Sequence, residues 1–420
     1  MTAAAVRLLR EFSAWLTLRR ITAHGAIAAT IIWLMFAFNE TTHGLLDRVG
    51  NLKGTDFLQF YLAGTFARTY RIAKMYGVSQ FAAETARAVP GVHGWNYLPV
   101  YPPQTALLFW PLSYPSYLAA FAIWTVFNIL FYGLCIWRLS RLYPEIAIHR
   151  TAVILSALAF APFFNAIGHG QVSILALVFI TVAMAAYLRD KWFLAGVLLG
   201  CLALKPPIFI AFLIVCAAVR AMRVIAGMVL AGVAQLALII LFAGLDSIRA
   251  YIEFAIKLPR VNDLVLAVKP YQMHSLRGFW ILLGMGQFSS ALWIVSSLVV
   301  LAILARYWLR ESSPDLRFAA LIVAAVLVDP HLYIYDAVIL APALFVAIAY
   351  ARVTKDMLIA DAIRVAVYVL FVCLFLGPLA RITHLQLSVP VMCLLFFAMT
   401  HLSATPLRLT GYEPSAAAAH

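Results

Sequence analysis

Apolar residues run along this chain in long blocks, and the polar residues that interrupt them come in short clusters. The blocks are continuous and do not alternate with period two, which excludes a membrane barrel. They recur from residue 21 almost to the C-terminus, with no gap large enough for a water-soluble domain. Laid out at the roughly 20 residues that a crossing requires, they predict an all-α polytopic membrane protein of about ten to twelve membrane helices. Two longer intervals, about 39–114 and about 244–287, read as large outer loops. The stretch from Val6-Arg7-Leu8-Leu9-Arg10 to Arg19-Arg20 is basic and amphipathic, suited to a cytoplasmic interface. The predicted organisation is therefore a segment 1–20, one membrane domain 21–405, and a cytoplasmic tail 406–420. The first apolar run lacks a small-residue cleavage site and reads as a retained span. The closing alanines and His420 resemble an appended tail.

Some blocks are too short to cross. Residues 192–204 stop at Lys205-Pro206-Pro207, where two prolines end a helix. A broken helix at membrane depth persists only where it lines a protein-covered or wet cavity. Such a cavity, roofed by the two loops, is the architecture the pattern implies.

Composition strengthens the membrane reading. Hydrophobic residues make up 65% of the 420, charged residues only 11%, and mean hydropathy is +0.94; soluble domains carry about a quarter charged residues. The net charge of +14 would point to nucleic acid in a soluble protein. Here it follows from Lys and Arg accumulating in cytoplasmic loops, and no nucleic-acid partner is expected. Arg138 and Arg141, Arg189 and Lys191, Arg220 and Arg223, Arg306 and Arg310, and Arg352 and Lys355 punctuate successive spans. They place both termini in the cytoplasm of a cell bounded by this inner (plasma) membrane. The five cysteines all lie in apolar runs without a CxxC pair, and read as small buried hydrophobes.

That topology brings five polar clusters to the extracytoplasmic face: Thr55-Asp56, Gly168-His169-Gly170-Gln171, Lys205-Pro206-Pro207, His274-Ser275-Leu276-Arg277 and Asp329-Pro330-His331. A bundle held by packing alone has no reason to sort its polar residues in this way. An active site at the membrane boundary does.

Each cluster has a plainer reading beside the functional one. Leu58, Leu62 and Phe66 recur every four residues, with Asp56, Arg68, Arg71 and Lys74 on the other side, which predicts a surface helix with its polar face toward the cavity. Asp56 after Thr55 is either a helix cap or a general base toward a hydroxyl nucleophile. Tyr101-Pro102-Pro103 is a rigid turn with an interfacial aromatic, or a platform for a sugar ring. His169, flanked by glycines, closes a tight interhelical turn or contacts substrate together with Gln171. Lys205 either snorkels to the interface or binds an anion, and an ionisable residue between apolar runs favours the second. His274 and Arg277, one turn apart, are suited to join it on a phosphate. Asp329 and His331 form a polar turn, a substrate or phosphate contact, or a metal site, and no second ligand cluster supports the metal.

In order along the chain, Thr55-Asp56-Phe57-x-x-Phe60-Tyr61-x-Ala63-Gly64, Tyr101-Pro102-Pro103, Gly168-His169-Gly170-Gln171, Leu204-Lys205-Pro206 and Asp329-Pro330-His331-x-x-x-Tyr335-Asp336 resemble glycosyltransferase family 87. This is a branch of the GT-C membrane glycosyltransferases that includes mannosyl- and arabinofuranosyltransferases. The resemblance implies a GT-C-like bundle, a polyprenyl-phosphate sugar donor, a glycolipid or glycan acceptor, and inversion at the sugar. It further implies Asp56 as base, His331 near the donor phosphate, Lys205 as the family's Lys-Pro, and His169, Gly170 and Gln171 as the family's Gly-His-Gly-Gln. Lys-Pro-Pro departs from the family, where a polar residue often follows the first proline. No cofactor is expected, and the chain is expected to act as a monomer in the bilayer. The rival from another class is a transporter or flippase of a lipid-linked saccharide, which predicts midplane sites and internal repeats; neither is apparent in this sequence. A non-catalytic assembly subunit is the third reading.

Overall fold

The computed structural model describes residues 2–92, 97–265, 269–310 and 312–402, with only the backbone of 259–265. The tail 406–420 and three residues of the second expected loop, 266–268, lie outside them. Among the described residues the chain is helical, without strands and with two isolated bridges, Leu46 to Leu52 and Met273 to Tyr333.

Six helices are long and apolar enough to cross a bilayer: Leu18–Glu40, Tyr117–Leu142, Met222–Ala243, Gly286–Trp308, Ile334–Val353 and Met357–Phe375. Two bent pairs raise the count to 8 if each is one span. Arg150–Leu158 continues into Ala161–His169 through a 45° bend, and Gly377–Thr383 into Ser388–Thr400 through 112°. The sequence-based count of ten to twelve exceeds this, because several apolar blocks form helices too short to cross alone: Ser173–Tyr187, Trp192–Leu204 and Pro206–Ala218. The last two are separated at the predicted break, with Pro206 and Pro207 opening the second helix, where a missing N–H costs nothing.

Local chemistry sets several boundaries. The Thr17 side chain accepts from the Arg20 N–H to start Leu18–Glu40, and Asp356 accepts from the Leu358 and Ile359 N–H groups to start Met357–Phe375. Trp192–Gly200 lies backbone to backbone on Met222–Ala243. A Cβ on Gly196 would stand 2.0 Å from the Val224 carbonyl oxygen, and one on Gly227 2.2 Å from that of Phe193. Small residues permit this approach where no hydrophobic effect draws helices together in lipid. At the centre stands Pro314–Val328, buried without a break from Phe318 onward.

The expected amphipathic surface helix differs from the observed one. Phe57–Arg68 is buried on nearly every side, including Leu58, Leu62 and Phe66 but also Phe57, Gln59 and Phe60. It packs on Gln104–Phe109, where a Cβ on Gly64 would meet the Phe109 carbonyl oxygen at 2.2 Å. The first loop is thus itself a folded layer with its own core of Phe57, Phe60, Phe66, Phe81 and Phe109.

Candidate active site

Asp56 precedes the Phe57–Arg68 helix with helical backbone angles and no capping hydrogen bond from its side chain. The carboxylate is used elsewhere. Its Oδ2 accepts from Gln171 Nε2 at 2.6 Å, and the Tyr97 hydroxyl also hydrogen-bonds to it. Burial first, and then Asp56, pushes the Tyr97 phenol well above its ordinary range.

Gln171 is placed by a turn that only glycine makes easily. Gly170 ends Ala161–His169 at φ 63°, and a Cβ there would lie 2.6 Å from that of Phe57. Trp124 Nε1 donates to the Gly170 carbonyl at 2.9 Å and holds the turn. With its Nε2 donating to Asp56, Gln171 Oε1 accepts from the Tyr101 hydroxyl at 3.0 Å. Tyr101, Gln171 and Asp56 therefore form one directed chain of hydrogen bonds. The Tyr101 ring is packed edge-on to Phe60 at 4.6 Å, and its carbonyl accepts from Tyr76, so it orients Gln171 from within the wall.

His169 sits on the same turn. Its Nδ1 faces the Asn165 carbonyl at 2.9 Å; a carbonyl can only accept, so Nδ1 carries a proton and this bond leaves Nε2 unused. The ring lies 5.8 Å from that of Tyr335.

Lys205, at the helix break, is not free. Its ammonium pairs with Asp336 and donates to Ser173 Oγ at 3.1 Å; Ser173 in turn donates to Asp336 at 2.6 Å. The ammonium also lies over the Tyr335 ring at 4.8 Å. Asp336 caps its own turn as well, accepting from the Tyr333 N–H. This buried triad fastens three elements, and Ser173 carried no signal by which sequence reasoning would have found it. Asp336 was visible in the sequence as the second carboxylate of the Asp329-to-Asp336 stretch, expected to bond a neighbouring backbone group, as it does with the Tyr333 N–H.

The residues around His331 divide into held and available groups. The His274 N–H donates to the Leu332 carbonyl at 2.8 Å, and its Nδ1 meets Ser388 Oγ at 2.7 Å. Burial lowers this imidazole to about 3, so it is neutral and internal. Arg277 Nη1 donates to the Pro330 carbonyl at 3.2 Å, and its other N–H groups have no protein acceptor among the described residues. Burial lowers the His331 imidazole, Asp336 opposes this, and Arg277 and Lys205 add to it. The His331 N–H donates to Asp329 Oδ1 at 2.7 Å, while Asp329 Oδ2 is buried without a partner among the described residues. Burial pushes the Asp329 carboxyl up to about 7.

Asp56, Tyr101, Gln171, Lys205, His331, Arg277, Asp329 and Asp336 thus share one electrostatic neighbourhood: Tyr101 feels both Asp56 and Asp336, and so does Tyr333. Arg71 stands apart from it, bonded to Glu84 at 3.2 Å and to Thr69. Among the described residues no group of three or more His, Cys, Asp or Glu is arranged to hold a metal ion. The sequence model of Glycosyltransferase family 87 matches residues 100–330, more than half of the chain. Asp56, His331 and Asp336 lie outside that span, and the fold brings them to it. No curated protein and no solved structure matches the chain.

Proposed function

Because the chain belongs to glycosyltransferase family 87, we propose that this membrane glycosyltransferase moves a sugar from a polyprenyl-phosphate donor to a hydroxyl of a glycolipid or glycan, with inversion. Asp56 takes the proton of the acceptor hydroxyl as its oxygen attacks the anomeric carbon. The bond from that carbon to the phosphate oxygen breaks on the opposite side, and the electron pair leaves with the polyprenyl phosphate. The observation that supports this reading is the Asp56 carboxylate itself: it caps no helix and is aimed by Gln171 and Tyr97 into the polar cluster.

Charge on the leaving phosphate must be offset in a low-dielectric site. Lys205 and Asp336 together are close to neutral, so Arg277 and His331 are assigned the phosphate, with Lys205 supporting from behind its pair. His169 Nε2 and Asp329 are assigned to sugar hydroxyls, and Tyr101, Gln171 and His274 to positioning. The reaction takes place on the extracytoplasmic face, where the lipid tail enters between helices.

The test is Asp56→Asn, which preserves shape and the bond from Gln171 but cannot act as base. Removing a general base costs about 10²–10⁴-fold in rate. Transfer should fall by that amount, with donor binding and thermal unfolding unchanged. Activity within a few-fold of wild type would overturn the assignment, and donor binding without transfer by the wild type would favour the transporter. The side is tested separately, with single cysteines in a background lacking the native five. A cysteine at exposed Val49 should label with an impermeant reagent from outside intact cells, and one at Arg189 should not.

A further inference from the structure

At the membrane boundary opposite the cluster lies a cavity of about 490 Å³ that the chemistry above does not use. The N-terminal helices form one side of it: Leu18–Glu40 packs on Arg150–Leu158, Ala3–Trp15 packs on Met357–Phe375, and the cavity occupies the space between. Its volume falls in the range of about 300–1,000 Å³ typical of small-ligand sites.

The lining is polarised along the membrane normal. On Ile334–Val353, Ala341 lies toward the bilayer interior and Arg352 at the membrane surface, with Arg364 donating to the neighbouring Ala351 carbonyl at 2.9 Å. The rise from Ala341 to Arg352 is about 16 Å at 1.5 Å per residue. Half the hydrocarbon thickness of a bilayer is about 15 Å. The cavity therefore has the depth of one leaflet, and its charged rim falls at that leaflet's headgroups. His24 and His149 also line it, and no carboxylate does. The nearby acids stand behind the wall. Asp361 is occupied by Ser13 Oγ at 2.6 Å and Arg364 at 3.4 Å, and Glu145 is close enough to feel Arg352 without lining the cavity. Arg352 is exposed and has no hydrogen-bonded partner among the described residues.

We infer that this cavity holds an anionic glycerophospholipid of that leaflet, an acyl chain lying along the apolar wall and the phosphate at the Arg352 rim. Basic pockets between membrane helices are suited to such headgroups because they combine apolar burial with charge. The inference needs only that the chain spans a membrane, and does not rest on the reading of Asp56.

The experiment uses the full chain, purified in mild detergent and delipidated. It is then exposed to micelles containing equal amounts of phosphatidylglycerol, phosphatidylethanolamine and a polyprenyl phosphate, and read by native mass spectrometry. One phosphatidylglycerol should be retained in preference to the others. Arg352→Gln should lower its retention about ten-fold, the scale of one lost charge-assisted hydrogen bond. Ala28→Trp, which fills the cavity from the N-terminal side, should abolish retention, with thermal unfolding reporting that the fold is kept; should that variant fail to fold, Arg352→Gln decides alone. Equal retention of the two phospholipids, retention unaffected by Arg352→Gln, or capture of the polyprenyl phosphate in their place would each overturn the inference. Sugar transfer, assayed apart, would still stand or fall with Asp56.

Discussion

Two buried aspartates mark the two ends of the central helix Pro314–Val328, and they are treated in opposite ways. Asp315, at its start, accepts from Ser313 Oγ, from the Leu316 N–H at 3.0 Å, from the Tyr350 hydroxyl at 3.0 Å and from that of Tyr143 at 3.3 Å. A negative charge at a helix N-terminus is also favoured by the backbone dipole. Asp329 follows the other end, where the dipole opposes it, with one bond to the His331 N–H and one oxygen unpartnered among the described residues. Both are fully buried. Folding alone explains Asp315. It does not explain Asp329, and an unsatisfied buried group in a native structure calls for a reason beyond folding. The polar end of the bundle that contains Asp56 and His331 is where that reason lies.

The contrast can be broken most sharply through a third acid. Asp336→Ala strands the buried Lys205 ammonium and should cost roughly 3–5 kcal/mol of stability. The double variant Lys205→Met with Asp336→Leu should recover most of that loss in reversible unfolding. No recovery would mean that the pair does more than neutralise itself. Asp315→Ala leaves the hydroxyls of Tyr143 and Tyr350 without their acceptor. It should cost about 2–6 kcal/mol, at roughly 1–3 kcal/mol for each of the two groups, while the folded fraction transfers sugar at the wild-type rate. Asp329→Asn should reverse that outcome. At pH 7 stability should stay within about 1 kcal/mol, because the bond to the His331 N–H survives, and transfer should fall about ten-fold. Equal stability losses in the two variants would remove the distinction.

The remaining test is in pH. A carboxyl raised to about 7 in the folded state binds a proton that the unfolded chain has already released above its ordinary value of about 4. Its contribution to stability is complete below that value and is lost as pH rises to about 7. His274, lowered to about 3, acts in the opposite sense: its contribution is lost as pH falls from about 6.5. The readout is therefore the difference between wild type and Asp329→Asn. In thermal unfolding at a series of pH values, wild type should lose stability relative to the variant between about pH 4 and 7. A difference flat with pH would mean that Asp329 is ionised throughout.

Much of the fold was legible because it depends on neighbours along the chain. The break at Lys205-Pro206-Pro207 needed only proline chemistry, and the turn at Gly170 only a residue tolerant of positive φ. The burial of Phe57–Arg68 was not legible. Its apolar residues at every fourth position suit a surface helix, and only the folded first loop covers the rest. The pairings of Arg71 with Glu84 and of His274 with Ser388 were hidden for the same reason.

The sequence by itself determined that this chain resides in a membrane as broken helices, and that its chemistry-bearing residues come as short clusters between them. Those properties follow from local hydrophobicity and from backbone limits, which act over a turn or two. Tertiary structure alone decided which of those residues are spent on one another. Lys205 and Asp336 are 131 positions apart, Gln171 and Asp56 115, His274 and Ser388 114. In a low-dielectric interior the partner of a charge determines whether it is neutralised or available, and a partner that distant is chosen by packing.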